Sequence, residues 1–499
     1  HAQITSLGFD HITFLANWVI EMYGNCGSME EVEYVFAKID YPNVFSFNIL
    51  LKALGHNGWL DKAIKVFWAM PCWDIVSWNA LIKAFSQWGR YNEALDFYLQ
   101  MLSKDVKPDK ITFVSILNVC SNLVSFEIGL EVHDSILVHG FELDIVIATS
   151  LVTLYGKCGR VVYARTVFDR MTSQDIVSWN AMITTYAQNR YSHMALFLFN
   201  EMLYRGIKPN NISFVCALDA CTSLELLLEG KKVHALVNNS GVVQDISLGN
   251  TLLNMYGKCS ASLQDALAIF NKLSDRDIVT FVNMISACSS QAIFAEGQRI
   301  HSLIKEKKME SSSILANAIM SMYSKCGSLI NARRMFDKMN EQKTAVSWST
   351  MIATYGQHGE GKEVLYLYDQ MQRTNISPEP ITLISLLFAF SHAGLLDEGC
   401  YSFRFITSKY QLVVLDHFNC MIDLLGRIGC VDDAIYVIHG MPFQPNNMSW
   451  SILVCASQVH MHFDRAELAS EYVLELNPDD TTGYVVLSNI YNAQCLDSV

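Results

Sequence analysis

The stretch DIVSWNAL, Asp74 to Leu81, returns almost unchanged as DIVSWNAM, Asp175 to Met182, 101 residues later. A weaker copy, DIVTFVNM, starts at Asp277 after a further 102 residues, and TAVSWSTM starts at Thr344 after only 67. A second phrase keeps the same beat. MYGNCG at Met22, LYGKCG at Leu154, MYGKC at Met255 and MYSKCG at Met322 are separated by 132, 101 and 67 residues. Self-similarity at a fixed period marks a repeat architecture, in which each unit packs on its neighbours and length counts units rather than domains.

The unit 75–109 shows helical periodicity twice. Trp78, Leu81, Ile82 and Phe85 form one apolar stripe, and Ala94, Phe97, Tyr98 and Met101 form another, with Gly89 between them. Pro108 closes the unit, as Pro209 and Pro378 close later ones, because proline disfavours helix in the residue before it. The unit is therefore a helix-turn-helix hairpin whose apolar face needs a neighbour to cover it. The 101-residue interval resolves into units of 35, 35 and 31 residues. The implied array runs 13–43, 44–74, 75–109, 110–144, 145–175, 176–210, 211–245, 246–277, 278–312, 313–344, 345–379, 380–414 and 415–446, with 447–499 beyond it. The short interval of 67 implies that one 35-residue unit was lost, since 278–312 begins like the first type of unit and continues like the second. His301 occupies there the slot of His133 and His234; His1 falls in the same slot, so 1–12 reads as the tail of an incomplete unit and the chain is expected to begin inside a repeat.

Composition sets further bounds. Hydrophobic residues make up 51% of the 499, but the apolar runs are short, such as LISLLFAF from Leu383, so no membrane span is expected. Of the 14 cysteines, Cys26, Cys158, Cys259 and Cys326 share one repeated slot, the pattern expected of small, buried, reduced thiols in a compartment without disulfide formation. Lys and Arg number 36 against 49 Asp and Glu, a formal charge of -13 that opposes bulk attraction to nucleic acid.

Three alternating unit types carrying VSWNAL, YGKCG and GIKPN phrases resemble the plant pentatricopeptide repeat (PPR) proteins of the PLS class, over essentially the whole chain. SHAGLLDEG at Ser391 and DHFNCMIDLLGRIGCVDDA at Asp416 resemble terminal repeats, and the stretches from Met448 and Thr481 resemble the E motifs of the E subgroup, the second cut short at Val499. The resemblance implies an all-α fold, a right-handed α-solenoid superhelix of about 13 helix-turn-helix repeats plus E motifs. It implies sequence-specific binding of single-stranded RNA in a mitochondrion or chloroplast, one base per repeat, by a monomer without cofactor or membrane. It further implies a specificity factor for C-to-U RNA editing, working with a DYW-type cytidine deaminase and multiple organellar RNA editing factors supplied in trans. A transit peptide would lie outside this chain.

In such a protein the fifth and last residues of each repeat read the base. Those positions are Asn17 with Asn43, Asn48 with Asp74, Asn79 with Asp109, Thr149 with Asp175, Asn180 with Asn210, Asn250 with Asp277, Asn317 with Thr344, and Asn419 with Asn446. Aliphatic second residues such as Val76, Val146 and Val177 wedge between bases. A terminal Asp only accepts hydrogen bonds and so favours the imino N–H of U or G, whereas a terminal Asn also donates and suits C or A. Applied in order, the pairs spell 5′-Y-U-U-n-G-Y-n-U. Val114, Val215 and Val282 at the fifth place read nothing, and Asn317 with Thr344, Ser349 with Glu379 and Ile384 with Val414 depart from the code.

Other readings compete with these. Each terminal Asp also stands where an N-cap for the next helix would lie, the SWN tryptophans lie on the packing stripe, and the recurrent His133, His234 and His301 suit helix packing better than catalysis. A zinc deaminase needs H-x-E with P-C-x-x-C; the only H-x-E is His358-Gly359-Glu360 and no two cysteines stand three apart, so no catalytic residue and no metal ligand is assigned. A DYW domain lost beyond Val499, a decayed copy, and a tetratricopeptide-like protein-binding scaffold remain as alternatives. If RNA is the ligand, Lys and Arg should be relatively concentrated near the reading pairs.

Overall fold

The computed structural model describes residues 12–477 except 243–244, 260–262, 340–342, 375 and 410–413, and beyond them only 484, 485 and 488. The tail assigned to 1–12, save Ile12, and nearly all of the second E motif lie outside the described residues. Among those residues there are 28 helices and no strand, arranged as 14 antiparallel-type pairs of a first and a second helix. The first helices run from Thr13–Cys26, Val44–His56, Ile75–Gln87 and Lys110–Leu123 through to Leu415–Ile428 and Asn447–Val459. This is an all-α repeat solenoid. The chain divides into two compact units, His1–Thr251 and Leu252–Val499. Within the first, neighbouring first helices pack side by side from Thr13–Cys26 to Asn211–Ser223; within the second they do so from Ile278–Ser290 to Asn447–Val459.

Local chemistry sets the helix ends. Asp74, Asp109, Asp175, Asn210, Asp277 and Asn446 cap first helices, each side chain accepting the backbone N–H three residues on. Four orphan donors open every helix, and a cap satisfies one of them for about 1 kcal/mol. The N-cap reading is thus met at these positions, and base reading has to coexist with it. At the other end Gly27, Gly58, Gly89 and Gly159 turn the chain with φ between 70° and 80°, a left-handed conformation that costs glycine nothing. Pro380 opens the helix Pro380–Ala393 at a position where its missing N–H is not needed.

Packing uses one contact repeatedly. A phenylalanine of a second helix meets the aromatic stripe residue of the next first helix edge-on: Phe67 and Trp78 at 4.7 Å, Phe168 and Trp179 at 5.1 Å, Phe336 and Trp348 at 4.8 Å between ring centroids. Trp78 and Trp179 are wholly buried, so these rings serve the core. Each such burial stabilises by about 1.5–3 kcal/mol. His133 Nδ1 lies 2.6 Å from the Tyr155 hydroxyl and His301 Nδ1 2.8 Å from that of Tyr323, which ties the histidine slot to the tyrosine of the YGKCG slot in the following hairpin. Burial pushes both imidazoles below their ordinary pKa, so they pack as neutral rings. The 13 described cysteines are free thiols, and of the four in the shared slot only Cys259 is buried, Cys158 and Cys326 being half-buried and Cys26 exposed at the helix end; no described helix is long and apolar enough to cross a membrane.

Candidate nucleic-acid interface

The fifth residue of a first helix lies one turn in from its N-terminus, level with the cap of the next first helix. Asn48 Nδ2 donates to Asp74 Oδ1 and Oδ2 at 3.1 and 3.2 Å, and Asn79 Nδ2 to Asp109 Oδ1 at 3.0 Å. Asn180 Nδ2 donates to Asn210 Oδ1 at 3.0 Å, and Asn317 Nδ2 reaches Thr344 Oγ1 at the outer limit of 3.5 Å. A third group completes each cluster. The hydroxyls of Ser77, Thr112, Ser213 and Ser347 donate to Oδ1 of Asn48, Asn79, Asn180 and Asn317 at 2.7, 2.7, 2.6 and 2.8 Å. Ser449 bridges the last pair, at 2.7 Å from Asn419 Oδ1 and 3.0 Å from Asn446 Oδ1.

Two of the pairs are not joined. The Thr149 hydroxyl donates to the Ile145 carbonyl at 2.6 Å, and Asp175 takes its hydrogen bonds from within its own turn, at the backbone N–H and hydroxyl of Ser178. Asn43 likewise accepts only from Ser46, while Asn17 Oδ1 is buried without a partner. Asn250 is buried and Asp277 caps Ile278–Ser290 through Thr280.

Electrostatics follow from these contacts. Burial works to raise the Asp74 carboxyl, but hydrogen bonds from the Ser77 hydroxyl and backbone, then Asn48, outweigh it and hold the group below the usual carboxylate range. Asp109 is lowered in the same way: burial opposes, and the Thr112 backbone, Asn79 and the Thr112 hydroxyl prevail. Both carboxylates are ionised acceptors at neutral pH.

In each of the two units, exposed apolar side chains recur at the second position of the first helices. Val76, Val146 and Val177 are 54%, 44% and 58% exposed, and Phe14, Phe45, Ile111, Ile212, Val279, Ile314, Val346, Ile381 and Met448 share the slot and the exposure. Sequence reasoning singled out only three of these; the signal for the others was the recurring slot itself. Scattered single apolars are ordinary on a protein surface, but one at nearly every repeat is not.

Charge on the first helices differs from the average of the chain. They carry seven Lys and Arg against four Asp and Glu, whereas the second helices carry 17 against 26. The caps place carboxylates at the N-terminal ends, at Asp74, Asp109, Asp144, Asp175, Asp245, Asp277 and Glu379, whereas of the seven cations only Lys110 stands at a helix start and the others lie in later turns, so the expected concentration of Lys and Arg near the reading pairs is not found. A groove of about 390 Å³ beside Val114 is lined by Lys83, Ser86, Gln87, Asn118, Thr153 and their neighbours, with no carboxylate among them. No group of three or more His, Cys, Asp or Glu is placed to hold a metal among the described residues.

Comparison with known proteins agrees with the repeat geometry. The model described as PPR repeat family matches residues 73–122 and 174–223, and the PPR repeat model matches 45–75, 146–176, 314–343, 346–376 and 416–442. Among curated relatives, Arabidopsis thaliana pentatricopeptide repeat-containing protein At2g13600 is 34% identical over 98% of this chain and 81% of its own length. Its counterpart At1g11290, named as chloroplastic, is 34% identical over 99% of this chain and 61% of the relative. At5g27110 is 33% identical over 80% of this chain and 63% of its own length, so the chain spans less than two thirds of each of these last two. In fold, the chain resembles the crystal structure of the pentatricopeptide repeat protein PPR10 from maize, with a TM-score of 0.52 and 17% identity over 96% of this chain and 82% of that one. With two-helix units at this period, cap and pair clusters in register, and full-length relatives above 30% identity, the chain belongs to the pentatricopeptide repeat family.

Proposed function

We propose that the chain binds single-stranded RNA in a sequence-specific manner, one base per repeat, along the N-terminal ends of its first helices. The observation that carries the reading is the set of fifth-residue amides joined to the following cap at Asn48–Asp74, Asn79–Asp109 and Asn180–Asn210. An N-cap alone needs no such partner. Pairs of side chains at repeat spacing are how PPR-type modules address successive bases, and exposed aliphatic residues at the adjacent position suit insertion between them. We further propose that the protein is of the PLS class and E subgroup and works in a chloroplast or mitochondrion, where it positions a DYW-type deaminase, with other editing factors, at chosen cytidines. The chemistry would come from that partner, and the chain itself would be non-catalytic.

The second reading, a protein-binding scaffold, draws on the acid-rich second helices. Competition binding separates the two. An RNA built on 5′-Y-U-U-n-G-Y is compared with one carrying A in place of the two U residues opposite Asn48 and Asn79, at stated salt. The expected result is at least a tenfold preference for the first RNA. Equal binding, or none by a folded sample, overturns the RNA reading in favour of the scaffold.

A further inference from the structure

We propose that the third residue of a first helix, where it is Ser77, Thr112, Ser213, Ser347 or Ser449, is a specificity-determining element of the preceding repeat: its hydroxyl fixes which end of the fifth-residue amide is shown to the base. This rests on the RNA reading above and adds to the pair a member from the neighbouring repeat.

The first support is a coupling within the sequence. In all nine repeats of the array whose fifth residue is Asn, Thr or Ser, the next repeat has Ser or Thr at its third position. In the four whose fifth residue is Val114, Val215, Val282 or Ile384, the third residue that follows is Ile147, Leu248, Leu315 or His417. An N-cap motif has no reason to track a side chain about 30 residues upstream. The two slots change together with unit type, since each of those four units is of the second type and is followed by one of the third.

Geometry gives the reason. A carboxylate only accepts, so the atom of Asn48 or Asn79 that faces Asp74 or Asp109 must be Nδ2. The opposite end, Oδ1, then requires a donor, and the hydroxyls of Ser77 and Thr112 supply it at 2.7 Å. Ser77 Oγ is also 2.7 Å from Asp74 Oδ1, so its single proton is shared between the two acceptors and draws the amide and the carboxylate into one cluster. Asn48 and Asn79 are each only 7% exposed, which makes an unmet Oδ1 costly. With Oδ1 engaged, the amide offers the groove its second N–H, and the carboxylate beside it offers Oδ2, which is unshared in Asp109 and met only by the Asn48 amide in Asp74. A donor next to an acceptor complements a carbonyl next to an imino N–H, the edge of uracil. Where the fifth residue is Thr149, Ser178 turns instead to the Asp175 carbonyl at 2.8 Å, and no cluster forms.

Thr112→Val tests this in the full chain. Wholly buried Ile147, Leu248 and Leu315 occupy the same slot in other repeats, so an apolar side chain is compatible with the helix start there. Binding is measured to RNAs with U or C opposite repeat 75–109 and, separately, opposite repeat 44–74. Thr112→Val is expected to lose roughly three- to tenfold of the preference for U opposite 75–109 and to keep it opposite 44–74. Thr112→Ser should restore it, and Ser178→Ala should change neither position. Wild-type preference in the Thr112→Val protein, or equal loss at both positions, overturns the proposal. A wild-type chain without base preference at either position overturns the RNA reading itself. Should Thr112→Val fail to fold, Ser77→Ala takes its place: loss of the U preference opposite repeat 44–74 alone supports the proposal, and retention of it overturns the proposal.

Discussion

At Asp109 a single carboxylate does two jobs, one of them local and one between repeats. Its Oδ1 takes the Thr112 backbone N–H at 2.8 Å, which starts a helix, and the Asn79 amide at 3.0 Å, which makes a pair. Asn43, Asn210 and Asn446 cap helices in the same slot, so Asp109→Asn should keep the helix start while adding a donor to an edge that had only acceptors. The expected outcome is relaxation from U towards either pyrimidine opposite repeat 75–109, read by the same competition assay. A pH effect accompanies it. The folded-state pKa of Asp109 is depressed, so its contribution to stability is present above the unfolded value of about 3.9 and is lost as pH falls through the folded value. Asp109→Asn should therefore flatten the acid limb of the stability curve below about pH 4, measured by thermal melts across pH. An unchanged acid limb would show that the carboxylate is not held by these bonds.

In every hairpin whose turn is described, a left-handed residue stands between the two helices, and not every repeat supplies glycine. Val124, Arg190, Glu225, Ala292 and Met461 stand there at φ values of 52°, 66°, 54°, 52° and 59°. Val124 is the most strained of them, because a β-branched side chain is a poor fit to this region and the conformation costs an L-residue about 1–2 kcal/mol. Val124→Gly is expected to stabilise by up to about 1 kcal/mol, the gain reduced by the extra freedom of the unfolded glycine. Inside the first helices glycine answers to a different demand. A Cβ at Gly356 would lie 2.4 Å from the Ala389 Cβ and 2.6 Å from its Cα, so neighbouring first helices approach closely there. Gly356→Val should cost about 1–3 kcal/mol or more by overpacking, whereas Gly440→Ala, with open space around it, should cost nothing. Urea unfolding of the three variants checks all three signs.

Over the whole chain, a net charge of -13 and RNA binding are compatible only if phosphate contacts are few. Of the seven cations on first helices, Lys83, Lys157, Lys258 and Lys325 have no carboxylate partner among the described residues, while Lys52, Lys110 and Arg427 are paired with Glu21, Asp144 and Asp423. Four cations without a carboxylate give a slope of log affinity against log salt of about −3. A slope near zero, or one twice as steep, would place the backbone contacts elsewhere. Much of this organisation was legible in the sequence, because Trp78, Leu81, Ile82 and Phe85 repeat at helical spacing and Gly89 and Pro108 punctuate them. The joined pairs Asn48–Asp74, Asn79–Asp109 and Asn180–Asn210 were legible too, by slot. What stayed hidden was Thr112 beneath Asn79: a hydroxyl 33 residues away has no local signature, and it was visible only as the ordinary N3 partner of a cap. The uneven joining of the pairs, absent at Thr149 and Asn17, depends on rotamers and backbone placement that a slot cannot encode. The same hydroxyls constrain how such arrays can be rearranged. Since Ser77 lies in one hairpin and Asn48 in the hairpin before it, the cassette that completes one polar cluster does not coincide with the cassette that folds. A splice between Asp74 and Ile75 would transplant a sound hairpin and leave its neighbour's amide with a borrowed hydroxyl, whereas a splice after Ser77 would move the cluster intact.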